Sequence, residues 1–288
     1  MLALGARRAI VAVVLAAAVL AGCGAGPVPP PAASPPPSTP VIDRGSEPVE
    51  RPRVPTGPRG APVPILMYHV IAASPARAAY ADLWVRPDAF AHQLAALAHA
   101  GYHATTLGAV WRAWHGHGMM PRNPIVISFD DGYQSQSTYA RLMLDRLGWP
   151  GVLNLAVKNV GIAGGLSRGE VRAMIREGWE IGAHTLTHVD LTTVDSAQLV
   201  HEVAGSRAWL RRAFGVPVDF FCYPAGRYDP AVEAAVHAAG YRGATTTNEG
   251  IASHHGDPYA LPRVRVTREM TAADLIALLH QLTSARPS

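Results

Sequence analysis

Eight short β-rich runs alternate with amphipathic helical patterns over about 220 residues, and this alternation limits the fold more than any other feature. The runs lie at 63–70, 103–107, 124–129, 152–157, 180–184, 218–223, 242–247 and 261–267. Between them, Phe90, Leu94, Leu97 and Ala98 share one helix face, and Leu142, Leu144 and Leu147 belong to the next helix. Ser167 and Glu170 read as a capping box opening a helix that ends near Gly178. Further helices are predicted over 196–214 and over 230–239, the latter closed by Gly240. Such alternation gives a parallel α/β sheet, and seven or eight strand units favour its closure into a barrel.

Composition excludes several classes. Hydrophobic residues make up 49% and charged residues 16%, so a wholly disordered chain is ruled out. The 25 basic residues barely exceed the 21 acidic ones, and Lys158 is the only lysine. No Arg run forms a phosphate-tracking patch, so no nucleic-acid partner is expected. Two cysteines cannot make a disulfide-stapled scaffold.

The N-terminus reads as a targeting segment. Arg7 and Arg8 precede an apolar run, Ala9 to Ala21, that is too short to span a membrane. Leu20-Ala21-Gly22-Cys23 resembles a bacterial lipobox. That resemblance implies a signal peptide over 1–22, lipidation of Cys23, and an extracytoplasmic protein held at the membrane by its lipid. Thirteen of the 25 prolines fall between Pro27 and Pro62, so 23–62 reads as an extended linker and 63–288 as one catalytic domain.

In a parallel barrel, function gathers at the C-terminal strand ends. There the sequence places His69, then Asp130-Asp131-Gly132-Tyr133, then His184-Thr185-Leu186-Thr187-His188, and then Pro224-Ala225-Gly226. Asp-Gly is also a common turn signal, and lone histidines often only satisfy a surface or a core. Taken together, one carboxylate and two imidazoles make a site for one divalent metal ion, with zinc the default. Three protein ligands leave positions open, and the second carboxylate is free to act as a base on water held by the metal.

Ser128-Phe129-Asp130-Asp131-Gly132 and His184-Thr185-Leu186-Thr187-His188 resemble the T/S-F-D-D-G and H-S/T-x-x-H motifs of the NodB-type polysaccharide deacetylases, carbohydrate esterase family four. The resemblance implies a distorted (β/α) barrel of about seven strands and metal-dependent removal of N-acetyl groups from an amino-sugar polysaccharide. It assigns Asp131, His184 and His188 to the metal and Asp130 to the general base. The third motif departs from the family, because Cys222 stands where R-P-P-Y-G would supply an Arg. The late acid His is also missing. Met67-Tyr68-His69 resembles the early M-Y-H segment of the circularly permuted exopolysaccharide N-deacetylases, which makes His69 the expected acid. The segment Tyr223, Pro224, Ala225 and Gly226 is the expected oxyanion region through its backbone N–H groups, and Tyr133 is a candidate sugar contact. Two rival functions remain: an O-acetyl esterase, and an inactive carbohydrate-binding lipoprotein. Oligomeric state is not read from the sequence.

With Cys222 in place of the motif Arg, another cation is needed to hold the base ionised. Arg263 and Arg265 alternate at the strand period and so share one face. A helix-covered barrel strand offers two cations no easy exit to water, so both should point into the barrel or its rim. Arg263 is the expected partner of Asp130; Glu180 and Asp219 are the alternative, structural partners for this pair of arginines.

Overall fold

The computed structural model describes residues 55–78 and 80–284. The proposed signal peptide, Cys23 and most of the linker therefore lie outside the described residues. Eight parallel strands organise the fold: β1 (Ile65–Tyr68), β2 (His103–Thr105), β3 (Pro124–Asp131), β4 (Val152–Leu155), β5 (Glu180–Ala183), β6 (Phe220–Cys222), β7 (Gly243–Glu249) and β8 (Leu261–Arg265). Seven close a ring in the order β1-β8-β7-β6-β5-β4-β3 and back to β1. β2 stays outside this ring and pairs only with the first three residues of β3. The chain is thus a closed seven-stranded parallel barrel.

Side-chain alternation explains how the barrel is filled. On β3, Ile125, Ile127 and Phe129 pack into the helix-facing core. Val126 instead joins Ile65, Val152, Phe220 and Leu261 in a second apolar cluster. These residues form the barrel floor, and Ser128 and Asp130 continue the same inward face upward by the period of two. The inward faces of β4 and β8 change likewise, from Val152 to Asn154 and from Leu261 to Arg263. Apolar side chains therefore fill the N-terminal end, and polar ones rise toward the C-terminal mouth.

Helices cover the outside. α1 (Pro87–His99) buries Phe90, Leu94 and Leu97 and packs against α7 (Ala272–Ser284). α2 (Leu107–Trp114) puts Leu107, Val110 and Ala113 under the floor, with Trp111 and Trp114 beside them. α4 (Arg168–Arg176) opens on the Ser167–Glu170 capping box. α5 (Ser196–Phe214) closes on Gly215, and α6 (Pro230–Ala238) ends two residues before Gly240. Among the described residues no helix is long and apolar enough to cross a membrane.

Two features differ from the sequence reading. The short α3 (Leu142–Arg146) ends before Leu147, and of the three leucines only Leu144 is buried. A π-helical segment, Gln136–Arg141, precedes α3. Its wider turn adds a residue and rotates α3 by about 100° relative to a continuous α-helix. The folded part also begins before Val63. Thr56–Gly57 pairs antiparallel with Met120–Pro121, and the Trp114 indole N–H donates to the Ala61 carbonyl at 3.0 Å. Proline-rich composition hides this short edge pairing.

Candidate active site

The register brings the chemistry-bearing strand ends level. Tyr68 lies beside Phe129, Asp130 beside Asn154, Leu155 beside Ala183, and Arg265 beside Met67. His69, Asp130, Asp131, His184, His188, Ala225 and Arg263 consequently line one open groove of about 980 Å³. A separate cavity of about 520 Å³ lies beneath the barrel floor, among Trp111, Trp114 and Tyr259, and holds none of them.

At the centre is a buried ion pair. The Arg263 guanidinium, fully buried, donates from Nη1 to Asp130 Oδ1 and from Nη2 to Asp130 Oδ2, both at 2.8 Å. Its Nε donates to the Thr246 carbonyl at 2.8 Å. Asn154 Nδ2 donates to Asp130 Oδ1 at 2.8 Å. Burial pushes the Asp130 carboxyl up, but Arg263 beside it holds it well below the usual carboxylate range. Neither alternative partner takes the arginines: Asp219 pairs with Arg207 and Arg242, while Glu180 accepts from the Gly108 N–H. Cys222 is fully buried beside this pair. Its sulfur lies 3.3 Å from Arg263 Nη2 and 3.6 Å from Asp130 Oδ2, so its small side chain leaves room for a guanidinium delivered from β8.

Two triads could hold a cation: Asp131, His184 and His188, or Asp130, His184 and Cys222. The first fits better. His188 Nε2 lies 3.3 Å and His184 Nε2 3.6 Å from Asp131 Oδ1. His184 Nδ1 lies 2.6 Å from the Cys222 carbonyl and donates to it, so Nε2 is the nitrogen turned toward Asp131 and the one a cation would displace a proton from. Burial pulls His184 down, yet contact with Cys222 and the charges of Asp130 and Asp131 push it up to about 10. In the second triad both Asp130 oxygens are already taken by Arg263, whose fixed charge would repel a cation there. One carboxylate oxygen and two imidazole nitrogens suit a divalent transition metal, zinc included.

Backbone strain gathers at the same place. Among the described residues, six other than glycine have positive φ. Of these, Asp131, His188, Ala225 and Tyr80 line the groove, and Thr185 lies between the two histidines. Glu202 on α5 fixes that loop by accepting from the Leu186 and Thr187 N–H groups and from the Thr187 hydroxyl. Thr185 Oγ1 accepts from the His188 N–H at 2.7 Å.

His69 Nε2 sits 3.7 Å from Asp130 Oδ2, and burial lowers its pKa. Gln136 donates to both the His69 and the Asp130 carbonyls, tying the two strand ends together. The expected oxyanion region narrows to one residue. The Tyr223 N–H donates to Thr245 and the Gly226 N–H to Tyr223, while Pro224 has none. The Ala225 N–H remains, on an exposed residue lining the groove. Tyr133 is half-buried in the groove wall. Sequence reasoning does not single out Asn154, Gln136 or Glu202; a lone Asn in a buried strand is the available signal for the first.

The polysaccharide deacetylase family model matches residues 117–244, which include Asp130, Asp131, His184, His188 and Cys222 but neither His69 nor Arg263. The Streptococcus pyogenes deacetylase PplD, solved with acetate, has a similar fold at TM-score 0.71 and 27% identity, over 76% of this chain and 98% of that one. BC0361, a polysaccharide deacetylase from Bacillus cereus, is similar at TM-score 0.69 and 28% identity, over 76% and 69%. YxkH of Bacillus subtilis (strain 168), a polysaccharide deacetylase by its name, is 28% identical over 222 residues, 77% of each chain. These findings support the polysaccharide deacetylase family. The family implies a hydrolase acting on an acetyl amide or ester of a polysaccharide. In this chain the arginine that steadies Asp130 comes from β8, past the end of the matched region.

Proposed function

We propose that the chain is a metal-dependent N-deacetylase of an extracytoplasmic amino-sugar polysaccharide, tethered to the membrane through Cys23. The observation that carries this reading is the pairing of Asp130 with Arg263 beside the Asp131–His184–His188 triad. It provides a carboxylate kept ionised next to a site built for a cation.

Bound at the triad, a divalent cation supplies Lewis acidity toward the acetyl carbonyl and the attacking water. Asp130, fixed by Arg263 and Asn154, accepts a proton from that water. Because Arg263 keeps Asp130 a weak base, the carboxylate does not retain the proton. His69, held neutral by burial and 3.7 Å away, takes it and returns it to the departing nitrogen. The Ala225 N–H, on a residue that lines the groove, is the donor left for the oxyanion. Products are acetate and a free amine. The order of the chain, with the acid-bearing strand first, supports a place in the permuted exopolysaccharide branch.

The test compares acetate and free-amine release from N-acetylated amino-sugar oligomers with acetate release from an O-acetylated glycan. Amine release matching acetate is expected. Acetate from the ester substrate alone would overturn N-deacetylation in favour of an esterase.

A further inference from the structure

The groove is not electrically balanced. Among the described residues its only lining carboxylates are Asp130 and Asp131, both on the floor. Asp130 is neutralised by Arg263, and Asp131 faces the two imidazoles. Around the mouth stand Lys158, Arg227 and Arg265. Arg227 is matched by Asp190 at 2.6 Å. Arg265 and Lys158 have no side-chain hydrogen-bond or ion-pair partner among the described residues. The mouth thus carries two unmatched cations and no unmatched carboxylate.

Arg265 is placed with particular economy. It lies two residues beyond Arg263 on the same face of β8, about 6.6 Å nearer the mouth. Arg263 at the lower level is spent on the base; Arg265 at the upper level is half-buried and spent on nothing within the protein. Its register with Met67 puts it next to the strand that ends in His69. Lys158 lines the same groove, and its backbone N–H donates to the Leu186 carbonyl of the His184–His188 loop at 2.8 Å. Desolvating an unmatched guanidinium is costly unless an anion meets it, and a carboxylate or phosphate matches its fork.

We infer that the polymer acted on is acidic, and that Arg265, assisted by Lys158, recognises a carboxylate or phosphate substituent close to the acetylated sugar. This inference rests on the deacetylase reading of the site and specifies its substrate class. Neutral glycans would leave both cations without a partner.

Three N-acetylated chito-oligomers of equal length test it on the full chain: unmodified, carboxymethylated and phosphorylated. Acetate release and calorimetric binding are followed for each, at low and high salt. At least one anionic oligomer should exceed the neutral one in kcat/KM by roughly tenfold, through KM, with the advantage shrinking as salt rises. Whichever anion gains identifies the group recognised. Arg265→Gln should lose at least about tenfold more on the favoured oligomer than on the neutral one, and Arg265→Glu should reverse the preference. Equal kcat/KM and equal binding across the three, or equal losses from Arg265→Gln, would overturn the inference while leaving deacetylation intact. Anion-selective binding that depends on Arg265, without acetate release from any oligomer, would instead sustain the acidic ligand and sink the deacetylase reading.

Discussion

Arg263 and Asp130 meet across the barrel interior from strands that are not neighbours: β8 and β3 are separated by β1, and two 2.8 Å contacts join guanidinium to carboxylate. The pair is buried and fully hydrogen-bonded. Its members depend on each other, because either one alone would be a buried, uncompensated charge.

Removing the cation should therefore be felt at Asp130. In Arg263→Met, burial is left to act without the guanidinium, so the carboxyl pKa rises and the base is protonated at higher pH. The acidic limb of the pH–rate profile should move upward, with metal content checked at each pH. The folded state should lose about 3–5 kcal/mol near neutral pH. Arg263→Lys keeps the charge without the fork and should fall between the two proteins. A folded, metal-loaded Arg263→Met with the wild-type acidic limb would remove Arg263 from the mechanism.

The two candidate triads give opposite outcomes. His188→Ala or Asp131→Asn should abolish binding of a divalent ion, whereas Cys222→Ser should bind it as the wild type does. Metal analysis of the purified variants decides the matter; loss in Cys222→Ser with retention in His188→Ala would move the site to the Asp130 cluster.

Gly182 has its own consequence. A Cβ at this position would lie 2.4 Å from Asn154 Oδ1. Gly182→Ala should push Asn154 off Asp130, lowering kcat about tenfold through one lost charge-assisted hydrogen bond. Overpacking of about 1–3 kcal/mol should lower Tm by roughly 2–10 °C. Thermal melts and steady-state kinetics read both effects, and an unchanged kcat would show that Asn154 does not position the base.

Glu202 touches no reacting group, yet it holds three donors of the His184–His188 loop. Glu202→Gln should weaken divalent-ion affinity about 10–100-fold while leaving the fold intact. Competition with a chelator measures this directly; wild-type affinity would mean that the loop holds its shape unaided.

Much of this arrangement is legible in the sequence, for reasons that can be named. Strand–helix alternation is local, so each of the eight parallel strands falls within or close to its expected run. The Asp130-Asp131 and His184–His188 groups are contiguous in the chain and lie at strand ends. The strand period of Arg263 and Arg265 puts two cations on one inward face. The residues that escape depend on neighbours in space. Asn154 and Gln136 gain their roles only through cross-strand register and the π segment. Glu202 acts from a helix on a distant loop. Which N–H of residues 223–226 is free depends on the hydrogen bond from Tyr223 to β7 and on the local turn that engages Gly226. Leu147 falls outside the expected helix because α3 stops at Arg146 and the chain turns at Gly148, which has positive φ.

Metal-dependent deacetylation is tested most directly by acetate release from an N-acetylated amino-sugar oligomer, measured with the purified chain before chelation, after it, and after a divalent metal is restored. Acetate and free amine should appear in equal amounts, be lost with the metal and return with it, and neither should appear with His184→Ala. Full activity in protein shown to be metal-free would contradict this mechanism.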